Sequence, residues 1–182
     1  MTVQQVLLEF YTENGLSDNG GIDKDTFELN VFGMNLNLPN PEFRKEVIHI
    51  HDIQHILNKC DTSWKGEAFI AGWEISTGLW KYFPIVIFSL WAMGYSFWLH
   101  PKEVYRGYKK GLNDIEIIDL KISEIDFMKM EFEELKRITK KDKSTKMGIT
   151  QWSLFIFWWI ISQVIFLFPL IIISIGIMWF VK

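Results

Sequence analysis

The stretch HDIQHILNKCDTSWKGE, residues 51–67, contains two of the chain's 4 histidines and largely determines how the sequence is interpreted. His51 and His55 are four residues apart, Asp52 follows the first of them, and eleven residues separate the second from Glu67. Side chains four apart on a helix share one face, so both imidazoles can reach one ion. The stretch therefore predicts a metal site with His51, Asp52, His55 and Glu67 as ligands, and any catalytic carboxylate is expected to be Asp52 or Glu67.

The two histidines fall in a predicted helix, NPEFRKEVIHIHDIQHILNK, with Asn40 as its N-cap and Pro41 as its first residue. At 100° per residue, the two imidazoles and the Asp52 carboxylate lie within an arc of about 100°. Nearly opposite that arc lie the apolar side chains of Ile50, Ile53 and Leu57. This helix is thus predicted to have an apolar back and a ligand-bearing front.

A break at CDTSWKG precedes a second predicted helix, which begins with Glu67 and is capped by Thr62 or Ser63. Glu74 follows seven residues later on the same side. Two neutral imidazoles and two carboxylates around a divalent cation carry no net charge, which matters because an apolar setting penalises an uncompensated charge. Zinc is the expected ion, and the same ligands would also suit iron or manganese.

Residues 1–38 are expected to form an amphipathic helix followed by extended chain. The first fifteen residues, MTVQQVLLEFYTENG, lack the features of a signal peptide. Their helical pattern places Val3, Val6, Leu7 and Phe10 on one face and ends at Gly15. In FELNVFGMNLNLPNP, the alternation of apolar residues changes phase beside Gly33. That change predicts a bulged or bent strand, or a loop over a site, rather than a clean hairpin.

Two apolar segments indicate a membrane. Residues 149–181 hold no charge and exceed the roughly 20 residues that cross a bilayer, and Pro169 fits either a long kinked helix or a hairpin. A basic cluster from Lys136 to Lys146 lies just before that segment, so the near end of the segment is expected on the cytoplasmic side. The shorter run 83–99 is expected either to span the bilayer or to lie buried in the domain or in the membrane surface.

Composition bears on the location of the protein and on its partners. The one cysteine, Cys60, cannot form an intrachain disulfide, so a reducing, cytoplasm-facing location is expected. Basic side chains are interleaved with acidic ones rather than grouped with aromatics, which argues against nucleic acid as a partner. His49 is expected at the surface and His100 at the end of an apolar run.

These features predict an all-α fold with a two-helix metal motif and a C-terminal membrane segment. Residues 1–140 are expected to form a compact metal-binding helical domain, 141–148 a basic juxtamembrane linker and 149–182 a membrane anchor. Within the domain, IEIIDLKI is expected to form a short strand. Ser123, with Asp126, is expected to cap a helix that ends near KRITKKDKSTK.

The pattern His51-Asp52-x-x-His55, eleven residues, then Glu67 resembles the zinc motif of the coenzyme Q biosynthesis protein four family. Further similarity lies in Gly66 and in the segments EISTGLWKYFPIVIF, VYRGYKKG and EFEELKRI. The resemblance covers about residues 1–140. The chain departs from the family in its acidic character and in the added apolar tail.

The resemblance implies a membrane-associated protein of ubiquinone or related prenyl-quinone synthesis. Such a protein would bind a prenylated ring precursor, act at its C1 position by metal-dependent oxidative decarboxylation, organise the other pathway enzymes, or do both. The four motif residues would bind zinc, and 83–99 would help line a prenyl tunnel. The implied partners are membrane lipid, the quinone precursor and other quinone-biosynthesis enzymes, while a homo-oligomer stays open. The implied location is the cytoplasmic face of a bacterial inner membrane, or the mitochondrial inner membrane in a eukaryote.

Two other interpretations stay open. His51-Asp52-x-x-His55 is similar to the His-Glu-x-x-His helix of zinc proteases, which would make the protein a zincin-like membrane metallohydrolase. In those enzymes the acidic residue is the general base, and aspartate, one methylene shorter, would reach the metal-bound water less readily. The third interpretation is a non-catalytic module that binds prenyl lipid or partner proteins, with the metal as a structural staple.

Overall fold

The computed structural model of the protein describes residues 1–180, most of which are helical. The α-helices, in chain order, are α1 (Val3–Asn14), α2 (Glu42–Lys45), α3 (Ile48–Asn58), α4 (Trp64–Thr77), α5 (Ile85–Leu99), α6 (Pro101–Gly111), α7 (Glu124–Lys129), α8 (Phe132–Ile138) and α9 (Ile149–Phe180). Two strands, β1 (Thr26–Val31) and β2 (Met34–Pro39), form an antiparallel sheet. The predicted helical fold is confirmed in its main part, since most described residues are helical, and the structure adds this one short sheet.

The chain divides into two compact units. Unit 1 consists of Met1–Lys59 and Ile117–Ile138, and unit 2 consists of Cys60–Glu116 and Thr139–Lys182. Each unit has a hydrophobic core of its own.

The core of unit 1 is organised around α1. Thr2 caps this helix by accepting a hydrogen bond from the backbone N–H of Gln5, and Gly15 ends it in the left-handed conformation at the predicted position. Helix α1 packs against α3 and α7, and α8 adds Leu135 to the same core. The buried side chains of this core are Val3, Leu7, Phe10, Tyr11, Ile53, Ile117, Phe127 and Leu135.

Strands β1 and β2 form a regular hairpin, so the prediction of a bulged or bent strand is wrong. The turn consists of Phe32 (φ 51°) and Gly33 (φ 77°). Positive φ at both central positions is typical of a type I′ turn, whose twist matches that of the flanking strands. Leu29 pairs with Leu36, so odd-numbered residues of β1 lie opposite even-numbered residues of β2. The change of phase beside Gly33 therefore places the apolar side chains of both strands on one face.

The helix that carries the histidines is shorter than predicted. Asn40 is not its N-cap, because the Asn40 side-chain amide donates hydrogen bonds to the carbonyls of Gly21 and Lys24 and its Oδ1 accepts one from Arg44. The chain forms the single turn α2, and α3 then begins separately at Ile48. Helical periodicity is thus interrupted just before the histidine pair.

The segment from residue 115 to residue 138 also differs from its prediction. IEIIDLKI forms no strand; Ile117–Leu120 is a short 3₁₀ helix instead. Ser123 caps α7 as predicted, since its hydroxyl accepts a hydrogen bond from the Asp126 backbone N–H. Met130 has extended backbone angles (φ −62°, ψ 143°), so the predicted single helix is divided into α7 and α8.

In unit 2, α4 and α6 approach closely at two glycines. A Cβ at Gly107 would lie 1.9 Å from the carbonyl oxygen of Phe69, and one at Gly72 would lie 2.1 Å from that of Val104. No side chain fits at either position without moving backbone. This packing fixes the direction of α4, the helix that carries Glu67.

Helix α5 packs against both α4 and α9 and lies in the 83–99 run. Its fifteen residues extend about 22 Å, which is short of the roughly 30 Å hydrocarbon core of a bilayer. At the contact with α9, a Cβ on Gly94 would lie 2.5 Å from the carbonyl oxygen of Ser162. Of the predicted alternatives, packing within its own unit fits α5 better than an independent span.

Helix α9 is one continuous helix, so the hairpin alternative is wrong for the described residues. Its part from Ile149 to Pro169, 21 residues, is long and apolar enough to cross a membrane. One buried stripe packs against α5 and α6 and includes Phe155, Ser162 and Phe166. Val181 and Lys182, the end of the predicted anchor, lie outside the described residues.

Candidate metal centre

His51 and His55 lie on adjacent turns of α3 with their Nε2 atoms 3.3 Å apart. The two rings meet edge to face, with centroids 4.9 Å apart and planes at 70°. Two nitrogen ligands of a tetrahedral zinc ion, each about 2.05 Å from the metal, are about 3.3 Å from one another. The imidazole pair therefore has the separation that two ligands of one ion require.

The ligand-bearing side of α3 is buried. His55 is 1% exposed and Asp52 is 8% exposed, while His51 is half-buried. The ring of Phe10, from α1, lies beside His55 with centroids 6.3 Å apart. Polar groups in such surroundings cost free energy unless they form hydrogen bonds or bind an ion. The predicted apolar back is also buried, at Ile53, so α3 is enclosed on both sides.

Asp52 is held by the side chain of Tyr11. The Tyr11 hydroxyl donates a hydrogen bond to Asp52 Oδ2 at 2.9 Å, and the same hydroxyl oxygen lies 3.0 Å from Nδ1 of His49. Gly20 covers this group, since a Cβ there would lie 2.9 Å from the hydroxyl oxygen and 3.2 Å from Oδ2. The carboxylate of the histidine motif is thus fixed from α1 and the loop that follows it.

Burial sets the protonation of this group. The pKa of Tyr11 is raised well above its ordinary value, first by burial and then by the Asp52 carboxylate. The pKa of His49 is lowered because burial disfavours the imidazolium, and the carboxylates of Asp52 and Glu124 only partly offset that effect. Tyr11 therefore keeps its proton at neutral pH and donates it to Asp52.

Glu67 lies in the first turn of α4, as predicted, although this helix begins three residues before it. Ser63, one of the two predicted caps, accepts a hydrogen bond from the Lys65 backbone N–H. A Cβ at Gly66 would lie 1.9 Å from the Asp61 carbonyl oxygen, so only glycine fits where the CDTSWKG loop passes the start of the helix. The glycine before Glu67 is therefore explained by packing.

The potential ligand atoms of His51, His55 and Glu67 lie within 4.8 Å of one another, and this group can hold a metal ion. Asp52 is not a member of that group, so its role as a ligand stays a prediction. Glu74, seven residues beyond Glu67, is 4% exposed and accepts a hydrogen bond from Ser89 at 2.6 Å. Its hydrogen bond to α5 accounts for its burial.

The sequence carries no local signal that links Tyr11 and His49 to the histidine motif. Tyr11 continues the apolar stripe of α1, four residues after Leu7, and the stripe predicts burial but not a partner for the hydroxyl. His49 was expected at the surface and is half-buried. Its partner Tyr11 is 38 positions away in the chain, and Asp52 is 41 positions from Tyr11, so no local spacing rule connects them.

Comparison of the chain with protein-family models, with curated proteins and with solved structures finds no match.

Proposed function

We propose that the protein is a membrane-attached metalloprotein of ubiquinone or related prenyl-quinone synthesis. It binds one divalent ion, with zinc foremost and iron or manganese as alternatives, through His51, Asp52, His55 and Glu67. The observation that carries the proposal is the group of two imidazoles and one carboxylate whose ligand atoms lie within 4.8 Å of one another.

The charge of the donors supports a bound cation. Two neutral imidazoles with the carboxylates of Asp52 and Glu67 bring two negative charges, which one divalent ion neutralises. His55 and Asp52 are buried, and neutrality matters most where water is excluded. When bound, the ion supplies a Lewis acid or, if it is iron, a redox centre.

The number of ligands bears on whether the site is catalytic. Four fixed protein ligands around zinc are typical of a closed structural site, whereas catalysis needs an open position. Asp52 lies outside the group of ligand atoms that are within 4.8 Å of one another, so it is the ligand that substrate would displace most readily. We therefore assign Asp52 as the ligand that yields a position to substrate, with His51, His55 and Glu67 as the permanent set.

The apolar helices support a lipid substrate. The 21-residue part of α9 is long enough to cross a membrane, and α5 contains no charged residue yet exposes Ile87, Phe88, Trp98 and Leu99. A prenyl chain is apolar throughout, so a protein that handles it must work at a membrane. In the proposed function, α5 helps to hold the prenyl chain, and the metal ion acts on the ring. The protein then acts at C1 of the ring, organises the enzymes that do so, or both.

Analysis of bound lipid tests the substrate class. The full chain is purified in mild detergent, and its organic extract is compared by mass spectrometry with a mock purification. We expect a prenylated aromatic-ring precursor to be enriched with the protein. Enrichment of ordinary phospholipid alone, in repeated preparations, would favour the non-catalytic membrane module.

Substitution of Asp52 by Glu separates the quinone function from the hydrolase interpretation. As a ligand held by Tyr11, Asp52 has a fixed reach, and the longer side chain is expected to lower metal content and the yield of bound precursor. A protease-like general base would tolerate or improve with glutamate at this position. Retained metal together with new or increased peptidase activity would therefore contradict the quinone function.

A further inference from the structure

The hydroxyl of Tyr11 lies between the Asp52 carboxylate and the His49 ring, at 2.9 Å from Oδ2 and 3.0 Å from Nδ1. A phenol has one hydrogen, which is donated to the carboxylate because an ionised carboxylate can only accept. The hydroxyl oxygen must then accept from His49, so Nδ1 of His49 carries a hydrogen. In neutral His49 the lone pair is consequently on Nε2.

From this geometry we infer that Tyr11 is a positioning residue of the metal centre and that His49 in turn orients Tyr11. The inference rests on the proposed metal-binding function. Metal-binding carboxylates are commonly held through their second oxygen by an outer hydrogen bond, which fixes their direction. The bond from Tyr11 to Oδ2 fixes the direction in which the Asp52 carboxylate is held.

The surroundings make this arrangement rigid. Tyr11 is 1% exposed and its ring belongs to the core of unit 1, so the hydroxyl cannot swing into water. Gly20, at φ 65°, lies beside both groups, and any side chain there would displace the phenol or the carboxylate. Hydrogen bonds in such low-polarity surroundings are strong and directional.

Removal of the Tyr11 hydroxyl tests the positioning role. The full chain in detergent is titrated with Co²⁺, whose visible absorption reports both affinity and ligand geometry. Tyr11→Phe is expected to weaken Co²⁺ binding about 10- to 100-fold and to change the absorption spectrum, because Asp52 loses its orientation. The matched control is Tyr108→Phe, which removes a hydroxyl from another buried tyrosine, 2% exposed and packed against Phe155 in unit 2. This control is expected to leave the affinity and the spectrum unchanged.

Two further measurements keep the inference testable if Tyr11→Phe folds poorly. Gly20→Ala retains the Tyr11 hydroxyl but forces it away from Asp52, and it is expected to change the Co²⁺ spectrum in the same direction. In metal-free protein labelled with ¹⁵N, the ring signals of His49 are expected to show hydrogen on Nδ1 and a lone pair on Nε2.

The outcomes separate the two hypotheses. Absence of Co²⁺ binding by the unaltered chain would overturn the proposed metal function and, with it, the positioning role. Normal binding by the unaltered chain, with affinity and spectrum unchanged in both Tyr11→Phe and Gly20→Ala, would overturn the positioning role alone. Hydrogen on Nε2 rather than Nδ1 of neutral His49 would also overturn it, because Tyr11 would then donate to His49 and not to Asp52.

Discussion

Helix α3 buries polar side chains, whereas helix α5 exposes large apolar ones. Helix α3, in unit 1, buries Asp52, Gln54 and His55 to 8% exposure or less. Helix α5, in unit 2, has no charged residue, yet Ile87 and Trp98 are 42% and 69% exposed. Buried polar groups and exposed large apolar groups are the informative departures in a folded chain. Neither helix is fully accounted for by folding of the chain alone in water.

The buried polar groups of α3 and the exposed apolar groups of α5 are stabilised by different interactions. The polar groups of α3 are stabilised by hydrogen bonds, such as that from Tyr11 to Asp52, and in the proposed function by a divalent ion. The apolar groups of α5, like those on the exposed face of α9, would in the proposed function be stabilised by contact with lipid. Helix α3 therefore carries a site that a metal ion would stabilise, whereas α5 and α9 carry apolar surfaces that lipid would stabilise.

The largest expected effect comes from a charge on the exposed face of α9. Ile160 is 49% exposed near the middle of the 21-residue apolar stretch. If lipid surrounds this face, Ile160→Arg destabilises the inserted state by about 3 kcal/mol. The fraction of the protein that remains with membranes after alkaline extraction measures the effect.

The control for that experiment is Ile125→Arg, which makes the same change at a position that is 67% exposed in α7 of unit 1. Its effect on stability is expected to stay within about 0.5 kcal/mol. Equal membrane retention of the two variants would mean that the exposed face of α9 does not lie in lipid.

The next effect concerns Cys60, a half-buried thiol close to the start of α4. Burial raises the pKa of the Cys60 thiol to about 11. At pH 8 the thiolate fraction is then on the order of a hundredfold lower than that of free cysteine, and alkylation by iodoacetamide is correspondingly slow. The rate is expected to rise steadily up to about pH 11 in the folded protein. The unfolded chain releases the Cys60 proton near pH 9, whereas the folded protein keeps it up to about pH 11. The contribution of Cys60 to the free energy of unfolding is therefore lost between about pH 9 and pH 11.

Mass spectrometry of the alkylated protein at a series of pH values provides the check on Cys60. Rapid modification at pH 8, at the rate of an unstructured peptide, would show that the loop between α3 and α4 does not bury this thiol.

A smaller effect tests the contact of α5 with α9. A Cβ at Gly94 would lie 2.5 Å from the Ser162 carbonyl oxygen and 2.7 Å from the Cβ of Phe166. Gly94→Ala is therefore expected to lower the free energy of unfolding in detergent by about 1–3 kcal/mol. Gly176→Ala is the control within α9, because nothing lies within 4 Å of a Cβ there. Alanine has a better helix propensity than glycine, so this control is expected to raise the free energy of unfolding by up to about 1 kcal/mol. Thermal unfolding followed by tryptophan fluorescence compares the two, and an equal or smaller loss for Gly94→Ala would show that the helices are not packed at this contact.

The features of the candidate site that depend on local spacing can be predicted from the sequence. The i, i+4 spacing of His51 and His55, and the first-turn position of Glu67, follow from helix geometry alone. The hairpin could not be predicted in this way, because phenylalanine rarely adopts the positive φ that Phe32 has in the turn. The hydrogen bond from Tyr11 to Asp52 could not be predicted either. The two residues are 41 positions apart, so the bond depends on how α1 packs against α3.

The metal content of the purified chain tests the central claim most directly. Full-length protein, dialysed against metal-free buffer, is analysed by elemental mass spectrometry beside His51→Ala, His55→Ala and Glu67→Gln. His100→Ala, which changes a histidine that follows α5, is the matched control. About one equivalent of divalent metal is expected in the unaltered chain and in the control, and less than about a tenth in each of the three site variants. Metal-free, fully folded protein, or equal metal in the control and the site variants, would contradict the account.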